Sequence, residues 1–293
     1  MLFRKKEMAT NNLATWNNWL EYASTQENRG SRATLAKEWK TLGPNKVTDP
    51  ADGQGLGRIN CVAFHPSNAN TFWIGTPAGG LWKTTDNGKT WTTSTDNLPV
   101  LGVSDIVIHP TNPSIMWIAT GDGDAAVSLQ TFGAPGTGDT KSIGILKSTN
   151  GGATWTTSYA AQVKDNLLIR RLIIDKANPD YLYAATSIGI LASSNGGGAW
   201  QNVQSGYFMD IEISPTSGDT LYASTFDENG GAAIYRTDDG GGNWSSIYTN
   251  TNVSRYNLEV TAAEPNYVYA LGAEASSEAF FEIAGSADRG STW

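Results

Sequence analysis

The chain has 293 residues, of which 39% are hydrophobic and only 16% charged, and its formal net charge is -8. The longest basic run is Arg4-Lys5-Lys6, whereas phosphate binding needs a concentrated basic patch, so we expect no nucleic-acid partner. No apolar stretch approaches the ~18 residues of a membrane helix, and polar residues follow the basic start, so the sequence predicts no membrane span and shows no signal peptide.

Residues 1–38 are predicted to form an N-terminal helical extension. Within them Leu13, Trp16, Trp19 and Leu20 fall on one side of a helix, as an amphipathic segment requires. Residues 39–56 are predicted to hold a lone closing strand, which begins at Trp39, and a linker.

The rest of the chain is a tandem repeat. Five segments fit Ser/Thr-x-Asp/Asn-x-Gly-x-x-Trp, a motif called the box below, and their tryptophans lie 64, 45, 44 and 49 residues apart. This spacing is typical of β-propeller blades. The long first spacing, of 64 residues, is explained by an insertion at roughly residues 121–141. The box positions are Asp86 and Trp91, Asn150 and Trp155, Asn195 and Trp200, Asp239 and Trp244, and Asp288 and Trp293.

Each box is preceded by three segments rich in β-branched and aromatic residues and followed by a more polar one. Four strands per repeat predict an all-β propeller of four-stranded antiparallel blades. The predicted repeats are 57–101, 102–166, 167–205, 206–251 and 252–293. The last lacks a fourth strand, so we expect an arc of a larger ring of about seven blades or more, although closure of five blades onto Trp39 is an alternative.

The box itself has a mechanical interpretation. An Asp or Asn side chain can accept hydrogen bonds from turn amides, and Gly supplies the positive φ. The five box acids and amides are therefore predicted to lock hairpins, and the five tryptophans to pack between neighbouring sheets. Five equivalent copies cannot all be catalytic.

With the boxes aligned, residues 39–293 resemble the Asp-box, or bacterial neuraminidase repeat, propellers, which include sialidases, xyloglucanases, sortilin-type receptors and photosystem assembly factors. The segments Trp39–Pro44, Gly57–Pro66, Gly75–Trp91 and Gly102–Asp124 are similar to large secreted bacterial proteins exported by the type IX route. The resemblance implies a secreted or cell-surface protein with a sortilin-like or glycosidase-like module.

The catalytic motifs of these families are only partly present in this chain. Sialidases place an arginine in a Phe/Tyr-Arg-Ile-Pro motif, and Gly57-Arg58-Ile59-Asn60 keeps only Arg-Ile. Arg171 and Arg255 fall near the starts of other inner strands, so a cluster of three arginines is conceivable. Xyloglucanases carry a catalytic Asp in a turn where this chain has Pro77, and no nucleophile pair can be assigned. We therefore expect no catalytic residue.

Ligand binding is predicted where the inner strands begin, at the mouth of the propeller channel. The candidates are Arg58, Asn60, Asp105, Arg171, Asp210 and Arg255. Such a ring of mixed charge suits a polar ligand, either a glycan or a protein; solvated polar residues around a water-filled channel are the alternative.

No cofactor is expected. In the insertion, Asp122, Asp124 and Asp139 could supply oxygen ligands to Ca²⁺, although their spacing does not match a known calcium loop and a flexible Gly-rich loop is the alternative.

The sequence thus favours a noncatalytic, carbohydrate- or protein-binding propeller that is a monomeric module of a longer chain. A glycoside hydrolase, sialidase-like or xyloglucanase-like, and a sortilin-like peptide receptor or assembly factor are the alternatives.

Overall fold

A computed structural model of the chain describes residues 57–123, 141–162 and 167–293. The predicted N-terminal helix and closing strand lie outside these ranges, as does most of the insertion. Residues Gly57–Trp293 belong to one compact unit. All regular elements in its described residues are β-strands, which confirms the predicted all-β class.

The strands form five antiparallel sheets, each built from consecutive hairpins. Blade 1 contains β1 (Cys61–Phe64), β2 (Phe72–Gly75), β3 (Leu81–Thr84) and β4 (Thr92–Thr93). Blade 2 contains β5 (Val103–Ile108), β6 (Met116–Thr120), β7 (Gly144–Ser148) and β8 (Thr156–Ala160). Blade 3 contains β9 (Ile169–Ile174), β10 (Leu182–Thr186), β11 (Gly189–Ser193) and β12 (Gln201–Ser205). Blade 4 contains β13 (Phe208–Ile213), β14 (Leu221–Thr225), β15 (Ala232–Thr237) and β16 (Ser245–Asn250). Blade 5 contains β17 (Val253–Val260), β18 (Val268–Glu274) and β19 (Phe280–Ser286).

Hydrophobic packing between blades holds the arc together. The second strands β6 and β10 are buried along their whole length, because the sheets on both sides cover them. Four apolar clusters lie between consecutive blades, and each combines the second strand of one blade with the first strand of the next. The first strands β1, β5, β9, β13 and β17 pack in that order along the inner edge. The blades therefore form the successive sheets of a propeller.

The inner strands of blades 2 to 5 each carry a β-bulge near their start. The extra residue is Ser104, Arg170, Met209 or Ser254. A bulge bends a strand and redirects its side chains. Next to these bulges, the Asp105 and Asp210 side chains reach the inner strand of the neighbouring blade.

Each box forms a tight turn closed by the same side chains. In blade 1 the Thr84 hydroxyl accepts hydrogen bonds from the amides of Asp86 and Gly88, at 3.3 and 2.9 Å, and Asp86 Oδ1 accepts one from the Thr90 amide at 2.8 Å. The other four boxes repeat these bonds. Hydrogen bonds to Thr90, Thr237 and Thr292 hold the pKa of the exposed carboxyls Asp86, Asp239 and Asp288 at about 2.

The box turns also dock onto the preceding blade. In blades 1 to 4 an aromatic residue of the second strand lies beneath the next blade's turn, and the Tyr183 hydroxyl donates to the Gly240 carbonyl at 3.1 Å. Between blades 2 and 3, Lys147 Nζ and Ser158 Oγ donate to the carbonyls of Gly196 and Gly197, both at 2.6 Å. A box turn is therefore both a hairpin lock and an interblade contact.

Replacing the buried Ser193 by Ala tests the lock. Its hydroxyl accepts from the Gly197 amide at 3.0 Å, and this buried donor would lose its partner. We expect a loss of about 1–3 kcal/mol of unfolding free energy, measured by urea denaturation. Ser194→Ala, at the exposed neighbour, should change it by less than about 0.5 kcal/mol. Equal effects would contradict the role of the buried hydroxyl.

Candidate functional site

One register position recurs at the inner edge of all five blades. In each blade the first-strand residue at this position pairs with the equivalent residue of the second strand. These first-strand residues are called the ring residues below: Cys61, Asp105, Arg171, Asp210 and Asn257. Three of them, Asp105, Arg171 and Asp210, are among the predicted ligand-binding candidates. They lie near the starts of the inner strands, at an end of the blades called the entry face below.

Side chains at this edge link neighbouring inner strands. Asn60 Nδ2 donates to the Val103 carbonyl at 3.1 Å, which joins blades 1 and 2. Asp105 Oδ2 accepts from the Leu172 amide at 2.8 Å, which joins blades 2 and 3. Asp210 Oδ2 accepts from the Leu258 amide at 2.8 Å, which joins blades 4 and 5. Both Asp side chains are buried, and each also accepts from the next amide of its own strand.

Arg171 joins blade 3 to both of its neighbours. Its Nη2 lies 2.7 Å from Glu212 Oε1, its Nε lies 3.7 Å from Asp210 Oδ1, and its Nη1 lies 4.0 Å from Asp105 Oδ2. The guanidinium stays charged, because the negative field of these carboxyls outweighs the opposing effect of its burial on its pKa. Arg171 and the three carboxyls are called the Arg171 cluster below.

The cluster holds three carboxyls around one cation, so complete ionisation would leave it with net negative charge. Burial raises the pKa of Glu212 to about 7 and that of Asp210 to about 6, against the lowering influence of Arg171 and of hydrogen bonds. Burial also raises the pKa of Asp105. The cluster therefore takes up and releases protons between mildly acidic and neutral pH.

The three arginines proposed from the sialidase resemblance have different partners. Arg58 forms an ion pair with Asp122, which also accepts from Asn60 Nδ2 at 3.3 Å. Arg255 pairs with Glu278 at 3.1 Å. Since Arg171 is held by its own carboxyls, no carboxylate is shared among these three arginines in the ion pairs of the described residues.

Two aromatic residues lie beside an arginine on the entry face. Tyr207 precedes β13 and Phe226 follows β14, and their ring centroids are 5.0 Å apart. Arg170 Nη2 donates to the Tyr207 hydroxyl at 2.6 Å, and its guanidinium carbon lies 5.6 Å from the ring centroid. Both rings are half-buried. Arg170, Tyr207 and Phe226 are called the aromatic platform below.

A cavity of about 570 Å³ opens between loops of blades 4 and 5 on the same face. Its walls carry polar and acidic side chains. The lining residues are Glu228, Asn229, Thr251, Asn252, Glu274, Ala275, Ser276 and Phe281.

The described residues contain neither a metal-binding cluster nor an activated thiol. Asp124 and Asp139 lie outside the described residues, and within those residues no group of three His, Cys, Asp or Glu side chains is placed to hold a metal ion. Burial, reinforced by the charge of Asp105, raises the pKa of the Cys61 thiol, so it stays protonated. His65 and His109 follow the last residues of β1 and β5, at the end of the blades opposite the entry face. His65 Nδ1 accepts a hydrogen bond from one turn amide, and His109 Nδ1 accepts hydrogen bonds from two.

The turn that carries the catalytic Asp in xyloglucanases is closed here without a carboxylate. The Thr76 hydroxyl donates to the Gly80 carbonyl at 3.0 Å and accepts from the Gly79 amide at 2.9 Å, with Pro77 between them. Sequence reasoning placed Arg170 at the start of its inner strand but missed Glu212, Tyr207 and Phe226. Glu212 lies two residues after Asp210 on β13, and this alternation was the available signal.

No protein family model matches the chain, and no curated protein matches its sequence. Solved structures are similar in fold. A GH74 xyloglucanase from Xanthomonas campestris is 15% identical over 78% of this chain and 36% of that one, with a TM-score of 0.58. YCF48 bound to a D1 peptide is 19% identical over 81% of this chain and 67% of that one, with a TM-score of 0.52.

The extracellular domain of a hybrid two-component system from B. thetaiotaomicron is 13% identical over 78% of this chain, with a TM-score of 0.53. This chain spans 27% of that protein and about a third of the xyloglucanase. Identities this low show the β-propeller fold alone. In the described ranges no helix is long and apolar enough to cross a membrane.

Proposed function

We propose that this chain is a noncatalytic propeller module of an extracellular or cell-surface protein, and that its entry face binds a glycan or a protein ligand. The aromatic platform carries the proposal. Half-buried rings beside a guanidinium offer an apolar surface and hydrogen-bond donors together, which suits a sugar ring or a peptide side chain.

Polar atoms elsewhere on the inner edge of the blades support the same function. Asn60 Oδ1 and Arg171 Nε are buried and make no hydrogen bond with the described residues. Buried polar atoms in proteins are usually paired, so atoms of this kind at a channel mouth suit a polar ligand. The similar structures include a propeller bound to a peptide and an extracellular domain, which agrees with this function and location.

Catalysis is disfavoured because the acidic side chains are already engaged. Asp105 and Asp210 each accept two main-chain amides, and Glu212 is bound to Arg171. A glycosidase needs one carboxyl to donate a proton and a second to act on the sugar or on a water.

The test is a binding screen of the full chain against an oligosaccharide array and a peptide library, with affinities then measured by calorimetry. Tyr207→Ala should weaken binding of the selected ligand about 10- to 30-fold, because it removes the central ring of the platform. Tyr181→Ala, at an exposed tyrosine near the opposite ends of the blades, should leave the affinity unchanged. Equal effects of the two variants would contradict the platform as the binding site.

Glycoside hydrolysis is the second candidate, favoured by the raised pKa of Glu212 and by the similarity in fold to a GH74 enzyme. A carboxyl with a pKa of about 7 can donate a proton at neutral pH. Hydrolysis of xyloglucan or a β-glucan that is abolished in Glu212→Gln would favour this candidate over the first. Ligand binding without turnover would exclude it.

A further inference from the structure

The cavity between blades 4 and 5 is lined by side chains that the aromatic platform does not use. Three loops of the entry face meet around it: 226–231 between β14 and β15, 251–252 between β16 and β17, and 275–279 between β18 and β19. Its volume of about 570 Å³ lies within the usual range of ligand pockets, about 300–1,000 Å³. The cavity can therefore admit a long side chain.

The three loops are tied to one another through their backbones. The Ala275 amide donates to the Asn252 carbonyl at 2.9 Å, and the Gly230 amide donates to the Asp227 carbonyl at 3.1 Å. Gly230, with a φ of 90°, lies where all three loops meet, because a Cβ there would collide with the Thr251 carbonyl and lie 3.4 Å from the Ala275 Cβ. The cavity is thus preformed, and a ligand need not order these loops in order to bind.

The loops around the cavity are acidic. They carry four carboxylates and one basic side chain, a net formal charge of -3: Asp227, Glu228, Glu274, Glu278 and Arg255. Arg255 is paired with Glu278 at 3.1 Å, and Glu228 and Glu274 lie in the wall of the cavity. A cleft with charge of one sign and low-dielectric walls concentrates the electric field. The cavity therefore attracts cations.

The rest of the lining suits an organic cation better than a metal ion. Among the described residues no group of three His, Cys, Asp or Glu side chains is placed to hold a metal. Phe281 lies in the cavity wall and packs against the apolar cluster between blades 4 and 5. Its ring can contact the methylene groups of a long side chain, while Asn229, Asn252 and Ser276 offer hydrogen-bond acceptors to the charged end. A lysine or arginine side chain has both parts.

The cavity also lies beside the aromatic platform. Phe226 belongs to the platform and Glu228 to the cavity wall, so their Cα atoms are at most about 7 Å apart. Residues i and i+2 of an extended peptide are separated by about the same distance and lie on the same side of its backbone. A peptide can therefore place one side chain on the platform and another in the cavity.

We propose that the cavity between blades 4 and 5 binds the lysine or arginine side chain of a peptide whose neighbouring apolar side chain lies on the aromatic platform. The inference rests on the proposed function, because it names the ligand of the same face as a basic peptide segment rather than a glycan. The cation would pair with Glu228 and with Glu274, which also accepts a hydrogen bond from the Ser277 hydroxyl.

The experiment is fluorescence anisotropy with the full chain and labelled synthetic peptides. Each peptide carries a tryptophan and, one to four residues later, a lysine, an arginine, an acetyl-lysine or a glutamate. At the best spacing the lysine and arginine peptides should bind at least about 10-fold more tightly than the acetyl-lysine peptide, because acetylation removes the charge. This preference should decrease as the salt concentration rises from about 50 to 500 mM.

Variants of the chain locate the preference. Glu274→Gln removes the charge but keeps the shape of the side chain, and should abolish most of it. Ser276→Lys, which places a cation of the chain itself at the cavity, should abolish it as well. The matched control is Glu264→Gln, which removes an exposed carboxylate between β17 and β18, at the opposite end of blade 5, and should leave the preference unchanged. Tyr207→Ala should weaken all the peptides alike.

Other outcomes separate this inference from the proposed function. Peptides that bind through Tyr207 with no preference for lysine or arginine, or with a preference that survives in Glu274→Gln, would overturn the inference and leave the proposed function standing. Binding of oligosaccharides alone, including the cationic chitosan, would do the same. If neither the peptides nor an oligosaccharide array bound, the inference and the proposed function would both fail.

Discussion

Replacing Arg171 by Met is expected to destabilise the propeller by about 2–4 kcal/mol at pH 8, as measured by urea unfolding monitored through tryptophan fluorescence. Removing one partner of a fully buried ion pair costs about 3–5 kcal/mol, and the lower figure applies because 42% of the Arg171 side chain is exposed to solvent. Three carboxyls from blades 2 and 4 would then face one another without a cation.

The loss should shrink as the pH falls to 5. In the folded chain Glu212 has a pKa of about 7 and Asp210 one of about 6, above the ordinary values of about 4 that hold for the unfolded chain. Between pH 4 and pH 7 the folded state therefore binds more protons than the unfolded state. The contribution of both groups to stability is present below about pH 4 and is lost as the pH rises through about 7. Without Arg171 the carboxyls take up protons more readily, so the variant gains more from acid.

Two controls separate charge from packing. Arg255→Met breaks the pair with Glu278, whose side chain is 37% exposed against 13% for Glu212, and should cost less than about 1 kcal/mol at both pH values. Glu212→Gln should reduce the dependence of wild-type stability on pH between 4 and 7. If Arg171→Met were equally destabilised at pH 5 and pH 8, the packing of the Arg171 methylene groups, rather than the guanidinium charge, would stabilise the cluster.

The blades could be predicted from the sequence because the information for them is local. A box needs only the residues from Thr84 to Trp91 to satisfy its amides, and the same pattern recurs in every repeat. The bulges at the starts of the inner strands were not predicted. They depend on how each inner strand fits against the neighbouring blade rather than on a turn residue.

For the candidate site, the sequence predicted which residues lie at the inner edge, but not the bonds that these residues form. Alignment of the repeats placed Asp105, Arg171 and Asp210 at the inner edge, since a repeat period fixes equivalent positions. Their bonds run between residues distant in sequence, as from the Asp105 carboxylate to the Leu172 amide, 67 positions away. The strand alternation places Glu212 on the same side of β13 as Asp210, but only the three-dimensional arrangement brings it 2.7 Å from Arg171, which lies 41 positions away.

Trp117→Ala is expected to have the second large effect, a loss of about 3–5 kcal/mol of unfolding free energy. Trp117 is 1% exposed in the cluster between blades 2 and 3, beneath the box turn of blade 3. Trp82→Ala, at a half-buried residue of β3, is the matched control and should cost clearly less, because water already reaches that ring. Similar losses would contradict the assignment of Trp117 to the interblade core.

A double-mutant cycle with Gly197 then tests whether the box turn and Trp117 act as one unit. A Cβ added at Gly197 would lie 2.6 Å from Trp117 Nε1 and 2.5 Å from Ser158 Oγ, and its φ of 77° is unfavourable for alanine by about 1–2 kcal/mol. Gly197→Ala should therefore destabilise the chain through both strain and collision. Trp117→Ala removes one collision but leaves the strain, so the double variant should be more stable than the sum of the two losses predicts. Strictly additive losses would mean that the turn can shift away from Trp117, and that the Ser158 and Lys147 hydrogen bonds, rather than Trp117, fix the position of the turn.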